Sequence, residues 1–430
     1  MKKALAVLAT SVAVLAGLLI YGSIATREDE QKTTEEYATV AEEVTQIAVT
    51  ESDSEEQKKP ATPAVVEDVV TVEADEEWNE DIEAEYQASV NTTYDLEIGD
   101  SSQYYAYNRL SDDEKELYAL IYSAITQYDE KVFLPTLDTE LVGKVYECVM
   151  MDHPEIFYVD GYKLVQYTVS GTLKRLSFAG NYTFSKNEAD SLWQEMDATA
   201  TAIIMNAPTG GDDYQKVKFV YEYLVNNTDY DLSAPNNQNI VSVFVGRRSV
   251  CKGYAKAAQL LLNRMGVYTT FIRGQAQGEG HAWNLVKADG EWYHLDVVWG
   301  DAYAEITGNE GSFTGVNYDY LLVTTSDILR THSIITPVDI PMCQSLADNY
   351  FVREGLFFLD YDDNLVQSVF DRARSTGQNT VTLKCANSDV YARMRSELFD
   401  NQKLFDFIGN GGSRVRYCEN TDLFTITFWL

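Results

Sequence analysis

Two aromatic-rich runs either side of Asp289-Gly290 constrain this chain more than any other feature. From His281 the sequence reads HAWNLVKA, then Asp289 and Gly290, then EWYHLDVVW. An Asp-Gly pair between such runs favours a two-residue hairpin turn, whose central residues both need positive φ. If those two residues make the turn, Ala288 pairs with Glu291, Trp283 lies opposite Asp296, and His281 opposite Val298. Side chains alternate along a strand, so His281 and Asp296 share a face as diagonal neighbours, roughly 7 to 8 Å apart. A bulge or slight twist brings them within hydrogen-bond reach. His294 falls on the same face and is the rival base. Gly278 and Gly280 favour His281 by exposing it, whereas His294 sits mid-strand among apolar residues.

Upstream, Cys251 stands just before Tyr254, Ala257, Ala258, Leu261 and Met265, which recur at helical spacing, with Gly266 as the stop. Cys251 is therefore placed at a helix N-terminus, where unpaired NH groups and the macrodipole favour an anion such as a thiolate. Gly253 is expected to let a substrate backbone come close. A nucleophile at a helix tip, a base on one strand and an orienting carboxylate on the next follow in the order Cys251, His281, Asp296. The Cys251 NH is one expected oxyanion donor; Asn237, Gln238 and Asn239 are candidates for the second by residue type, and Arg247 and Arg248 stand just upstream of the thiol. Taken singly, a cysteine is usually a small buried hydrophobe and a Trp-rich hairpin is usually core; three such features in catalytic order weigh against that reading. One Cys, one His and one Asp lack the paired spacing of a metal site. No metal and no cofactor are expected, since no nucleotide fingerprint, cofactor lysine or calcium loop is present.

The blocks VCKGYA, GHAWN and WYHLDVVWGD resemble the three motif blocks of the bacterial transglutaminase-like superfamily, relatives of papain-like cysteine peptidases. That resemblance assigns the catalytic roles to Cys251, His281 and Asp296. It also puts Gly253, Tyr254, Trp283, Asn284, Trp299 and Asp301 at substrate-binding or supporting positions, with Val297 and Val298 as the departures. The implied fold is α+β: a papain-like transglutaminase core, its nucleophile helix packed on an antiparallel sheet, flanked by N- and C-terminal α+β modules. The implied reaction is attack on a peptide or protein amide, giving a thioester that water or an amine resolves. Hydrolysis is slightly favoured, and cell-wall peptides are the first substrate expected. The alternative is a catalytically silent surface scaffold that binds wall peptides or proteins.

Along the chain, Lys2 and Lys3 precede an apolar run, residues 4–24, that suits a signal peptide or a membrane anchor, so residues 1–25 point to an extracellular or cell-surface protein. Residues 26–100 are acidic and expected to be a solvated, disordered linker. Residues 101–206 read as an N-terminal α+β domain, 207–336 as the catalytic domain and 342–430 as a C-terminal α+β domain. In the last, NYFVREGLFFLD is expected as a strand pair; before it, NYDYLLVTTSDILRTH suggests a closing strand and a short helix begun by Ser326. A net charge of -34 argues against a nucleic-acid partner. Five cysteines, an odd number, allow two disulfides and one free thiol, or five buried thiols. Oligomeric state is not legible.

Overall fold

The computed structural model describes residues 68–90, 98, 101–301, 315–408 and 415–430. The apolar segment 4–24 lies outside them, and among the described residues no helix is long and apolar enough to cross a membrane.

The first unit comprises β1 (Val69–Glu77), α1 (Glu80–Val90), α2 (Asp112–Gln127), β2 (Val132–Phe133), α3 (Thr139–Asp152), β3 (Val159–Val169), β4 (Thr172–Tyr182) and α4 (Lys186–Ile204). Its sheet runs β1-β3-β4-β2. Ser111 caps α2 and Glu114 reaches back to close a capping box, while Pro154 keeps His153 out of helix and ends α3 at Asp152. Residues 69–90 correct the expectation of an unbroken linker: β1 pairs in parallel with β3, and α1 follows it. Composition misled because an edge strand can be held by backbone hydrogen bonds while its side chains stay in water; Val69, Val70 and Val72 are about half exposed.

The next unit holds α5 (Asp213–Asn227), the short pair β5 (Asp229–Tyr230) and β6 (Arg248–Ser249), α6 (Cys251–Arg264), β7 (Tyr268–Ala276), β8 (Glu279–Ala288), β9 (Glu291–Leu295), α7 (Val298–Asp301), α8 (Thr325–Ile328) and β10 (His332–Ile335). Its sheet, β10-β7-β8-β9, is antiparallel throughout. The β8–β9 register is Ala288 with Glu291 and Asn284 with Leu295, around Asp289 and Gly290 at φ 46° and 96°. Thr324, not Ser326, caps α8, and the expected closing strand is reduced to one bridge between Val323 and His294.

Helix α6 is buried on nearly every side, Lys256 and Gln259 included. Both donate to the C-terminal carbonyls of α3: Lys256 Nζ to Met150 O at 3.1 Å and Gln259 Nε2 to Met151 O at 2.9 Å, while Gln259 Oε1 has no partner. One apolar core joins both units, from Tyr105 to Cys343, and takes in Leu423 from the C-terminal residues.

The C-terminal residues form α9 (Tyr350–Arg353), β11 (Phe357–Phe358), α10 (Asp363–Thr376), β12 (Thr380–Cys385), α11 (Ser388–Arg395), α12 (Leu404–Ile408), β13 (Arg416–Asn420) and β14 (Thr425–Trp429), with sheet order β11-β12-β14-β13 and a core of their own. The strand pair expected from NYFVREGLFFLD is instead a capped turn of helix and a two-residue strand. Asn349 Oδ1 accepts from Phe351 N at 3.1 Å, and Gly355 at φ 64° turns the chain before Phe357. All five cysteines are free thiols, four of them buried.

Candidate active site

The hairpin delivers the face that its turn dictates. His281 leaves β8 and Asp296 follows β9, and His281 Nε2 donates to Asp296 Oδ2 at 2.7 Å. The other carboxylate oxygen accepts from Val298 N at 3.0 Å and Trp299 N at 3.3 Å, the first amides of α7, so a helix N-terminus holds the anion. Burial raises the cost of charge on both groups, but each charge and the shared hydrogen bond outweigh it. His281 is pushed up to about 10, with Cys251 adding to the shift, and Asp296 is held well below the carboxylate range. Nδ1 of His281 makes no formed hydrogen bond, and the Cys251 thiol lies close enough to bear on the ring's charge. Cys251 opens α6 behind Val250, which supplies no side-chain cap, so no cap consumes the first-turn NH groups beside the sulfur. All three side chains are buried, Cys251 at 1% exposure.

His332, from β10, is a fourth member that the sequence reading did not single out. Its Nε2 donates to the same Asp296 Oδ2 at 3.1 Å, and its Nδ1 lies 2.8 Å from Thr331 Oγ1. Burial lowers its affinity for a proton in spite of Asp296, so the ring is a neutral donor. It packs 4.8 Å from Trp299 and 5.1 Å from Trp283. The run HSII around it carries no sequence signal of that placement. His281, Asp296 and His332 also place three metal-ligating atoms within 4.8 Å of one another, but Asp296 Oδ2 is already shared between the two rings.

The rival His294 is removed from the thiol. Trp283 Nε1 donates to its Nδ1 at 3.1 Å, its Nε2 meets Thr325 Oγ1 at 3.1 Å, and burial with the nearby His332 lowers it to about 3. Trp283 stacks on His281 at 6.0 Å and Trp299 meets it edge-on at 6.2 Å, which shields the ion pair from water. Asn284 Nδ2 donates to Ala255 O at 2.9 Å and so ties α6 to β8. The Tyr254 hydroxyl donates to Thr228 O, and Asp301, at the end of α7, is near enough for its charge to act on Tyr254. Gly253 corrects an expectation: a Cβ there would meet Ser249 Oγ at 2.0 Å and the carbonyls of Asn237 and Asn239 at 3.0 Å, so the protein's own loop fills the space meant for substrate. Of the three oxyanion candidates, Asn237 and Asn239 are bound into that loop, through Leu232 O and Val241 N, whereas the buried Gln238 Oε1 has no partner. Arg247 and Arg248 are exposed, with Arg248 paired to Asp231 at 2.8 Å, away from the thiol. His153 pairs with Glu155 at 2.6 Å and stacks on Tyr122, a structural role.

Residues 201–297 match the transglutaminase-like superfamily, a span that includes Cys251, His281 and Asp296. The chain carries a transglutaminase-like domain. It is 20% identical over 168 residues to the kyphoscoliosis peptidase of Mus musculus and 21% identical over 154 residues to that of Homo sapiens. These matches take in 33% and 32% of this chain and 25% and 23% of those proteins, so the chain spans about a quarter of the curated relatives it matches. Among solved structures, it is similar to one described as a TGase, at 17% identity and a TM-score of 0.24 over 36% of this chain and 47% of that one.

Proposed function

We propose that the chain is an exported cysteine amide hydrolase, or acyl transferase, in which Cys251, His281 and Asp296 act as nucleophile, acid-base and orienter. The observation that carries this reading is the 2.7 Å bond from His281 Nε2 to Asp296 Oδ2, which leaves Nδ1 for the thiol at the uncapped start of α6. The Cys251 thiolate attacks the amide carbonyl and forms the C–S bond. The tetrahedral oxyanion lies by the first-turn NH groups of α6. Collapse breaks the C–N bond as imidazolium Nδ1–H protonates the leaving amine. Neutral His281 then takes a proton from water, or from an acceptor amine, as that nucleophile displaces the thiolate. Hydrolysis is slightly favoured over transfer. With Cys251 at 1% exposure, substrate entry requires the covering residues to part. Residues 1–25 would direct the enzyme to the cell surface, where peptide stems of the wall are the first candidate substrates.

The test is mass analysis of glutamine-containing wall peptides incubated with the protein, with and without a primary amine. The Cys251→Ala protein is expected to melt within a few degrees of the parent and to form no product. Product from that variant would refute the thiol mechanism, and a stable, fully folded parent that neither cleaves, deamidates nor transfers would favour the binding scaffold.

A further inference from the structure

Asp68, the residue before β1, lies against the first turn of α6. Asp68 pairs there with Lys252, the residue after the nucleophile, at 2.5 Å, with the two side chains only 17% and 12% exposed. Burial works against charge on Asp68, yet Lys252, Lys256 and Arg273 together hold its carboxyl below the ordinary range. The seat is shaped for a backbone as well as a charge. Gly161, at φ 156°, lies under Val69, and a Cβ there would come within 2.0 Å of Val69 O.

Two cavities flank Asp68. One, of 190 Å³, is bounded by the loop Asn236–Asn239, and the other, of 30 Å³, by Phe271 and Arg273; both are lined by Asp68, Lys252 and Lys256. Asp68 is therefore a partition in what is otherwise one trench, lined on both sides by Lys252, the residue that follows Cys251 in the chain, and by Lys256; Glu147, paired with Arg273, lies on the smaller side and Asp160 on the larger. Gln238, whose Oε1 has no hydrogen-bond partner, lines the larger side. Asp68 begins an edge strand that pairs with β3 and whose Val69, Val70 and Val72 are 48%, 53% and 51% exposed.

We propose that this trench is a carboxylate subsite beside the nucleophile, filled in the resting chain by Asp68, and that its substrates are amides bearing a carboxylate close to the reacting carbonyl. The inference rests on Cys251 being the nucleophile. Substrate carboxylate and Asp68 compete for Lys252, so Asp68 both mimics and excludes the substrate.

Binding can be read apart from turnover in the full chain carrying Cys251→Ala. The probes are fluorescein-labelled Ala-Glu-Gln-Ala-Ala amide, its Ala-Gln-Gln-Ala-Ala twin, and that twin with a free C-terminus, followed by fluorescence anisotropy. Asp68→Ala is expected to bind the Glu peptide at least tenfold tighter than the unaltered seat does and tenfold tighter than the Gln twin, with Lys252→Glu in that background erasing the preference. Tighter binding of the free-acid twin alone also supports the subsite and assigns it to a terminal carboxylate. Equal binding of all three probes to Asp68→Ala overturns the proposal; Asp68→Ser, checked by its melting curve, replaces Asp68→Ala should that variant unfold. With Cys251 restored, turnover without charge discrimination overturns the subsite and leaves the reaction standing, whereas discrimination without turnover does the reverse.

Discussion

Two buried groups, Lys256 on α6 and His281 on β8, oppose each other in the pH dependence of stability, and replacing Lys256 by Met separates them. Burial, then the charge of Lys252, brings Lys256 from 10.5 down to about 7, so between those values the unfolded chain binds one proton more than the native chain and stability rises with pH. His281 runs the other way. Its native value of about 10 lies above the ordinary 6.5, so its contribution is fully present below 6.5 and is lost as pH rises through about 10. Each proton is worth about 1.4 kcal/mol per pH unit, so from pH 7 to 8.5 the two terms are each about 2 kcal/mol and cancel. The window stops short of 9.0, the ordinary thiol value, because Cys148, Cys343 and Cys385 are each pushed up to about 12 by burial and would add a falling slope above it. Lys256→Met keeps the apolar stem and gives up one hydrogen bond, to Met150 O. Urea unfolding at four pH values across the window should show a level parent and a variant that loses about 2 kcal/mol at constant m-value. A level Lys256→Met protein would mean that His281 is neutral in the native state, which would remove the imidazolium acid from the proposed reaction.

Two further outcomes bear on the site. Asp296→Asn removes the charge that holds His281 above its ordinary value and leaves burial to lower it, so at pH 7 the ring should be neutral by imidazole NMR and turnover should fall about 100- to 10,000-fold. Turnover within threefold of the parent would show that Asp296 does not orient the base. His332→Phe keeps the ring packed against Trp299 and Trp283 but removes one donor from Asp296 Oδ2; at about 1.5 kcal/mol for a hydrogen bond to a charged group, kcat should fall roughly tenfold. Asp296 would then act more strongly on His281, so the alkaline limb of the rate profile should move upward. An unchanged limb with an unchanged rate would reduce His332 to packing.

The parts of the site that the sequence made legible are those fixed by local chemistry. Asp289-Gly290 sets a two-residue turn, the turn sets the register, and the register puts His281 and Asp296 on one face. His332 was not legible because its contact with Asp296 depends on β10 pairing with β7, a partnership between distant parts of the chain that no residue in the run HSII announces. Gly253 shows the reverse failure: the need for space was read correctly from the missing side chain, but the occupant is the loop Asn237–Asn239 rather than substrate. The acidic composition before residue 100 hid β1, because a strand held by backbone bonds at a sheet edge needs no apolar side chains.

The apolar core continues across residue 206, from the first unit into the second. The reason lies in α6. A helix carrying Lys256 and Gln259 on a buried face would be costly if those groups found no partners, and the partners are carbonyls at the end of α3, in the preceding unit. Cys251 is one turn from Lys256 on a rigid helix. The first unit therefore fixes the nucleophile from one side, through α3, while Asn284 fixes it from the other by binding Ala255 O. On that arrangement the N-terminal α+β unit is part of the frame that holds the thiol against the hairpin, rather than a module appended to it.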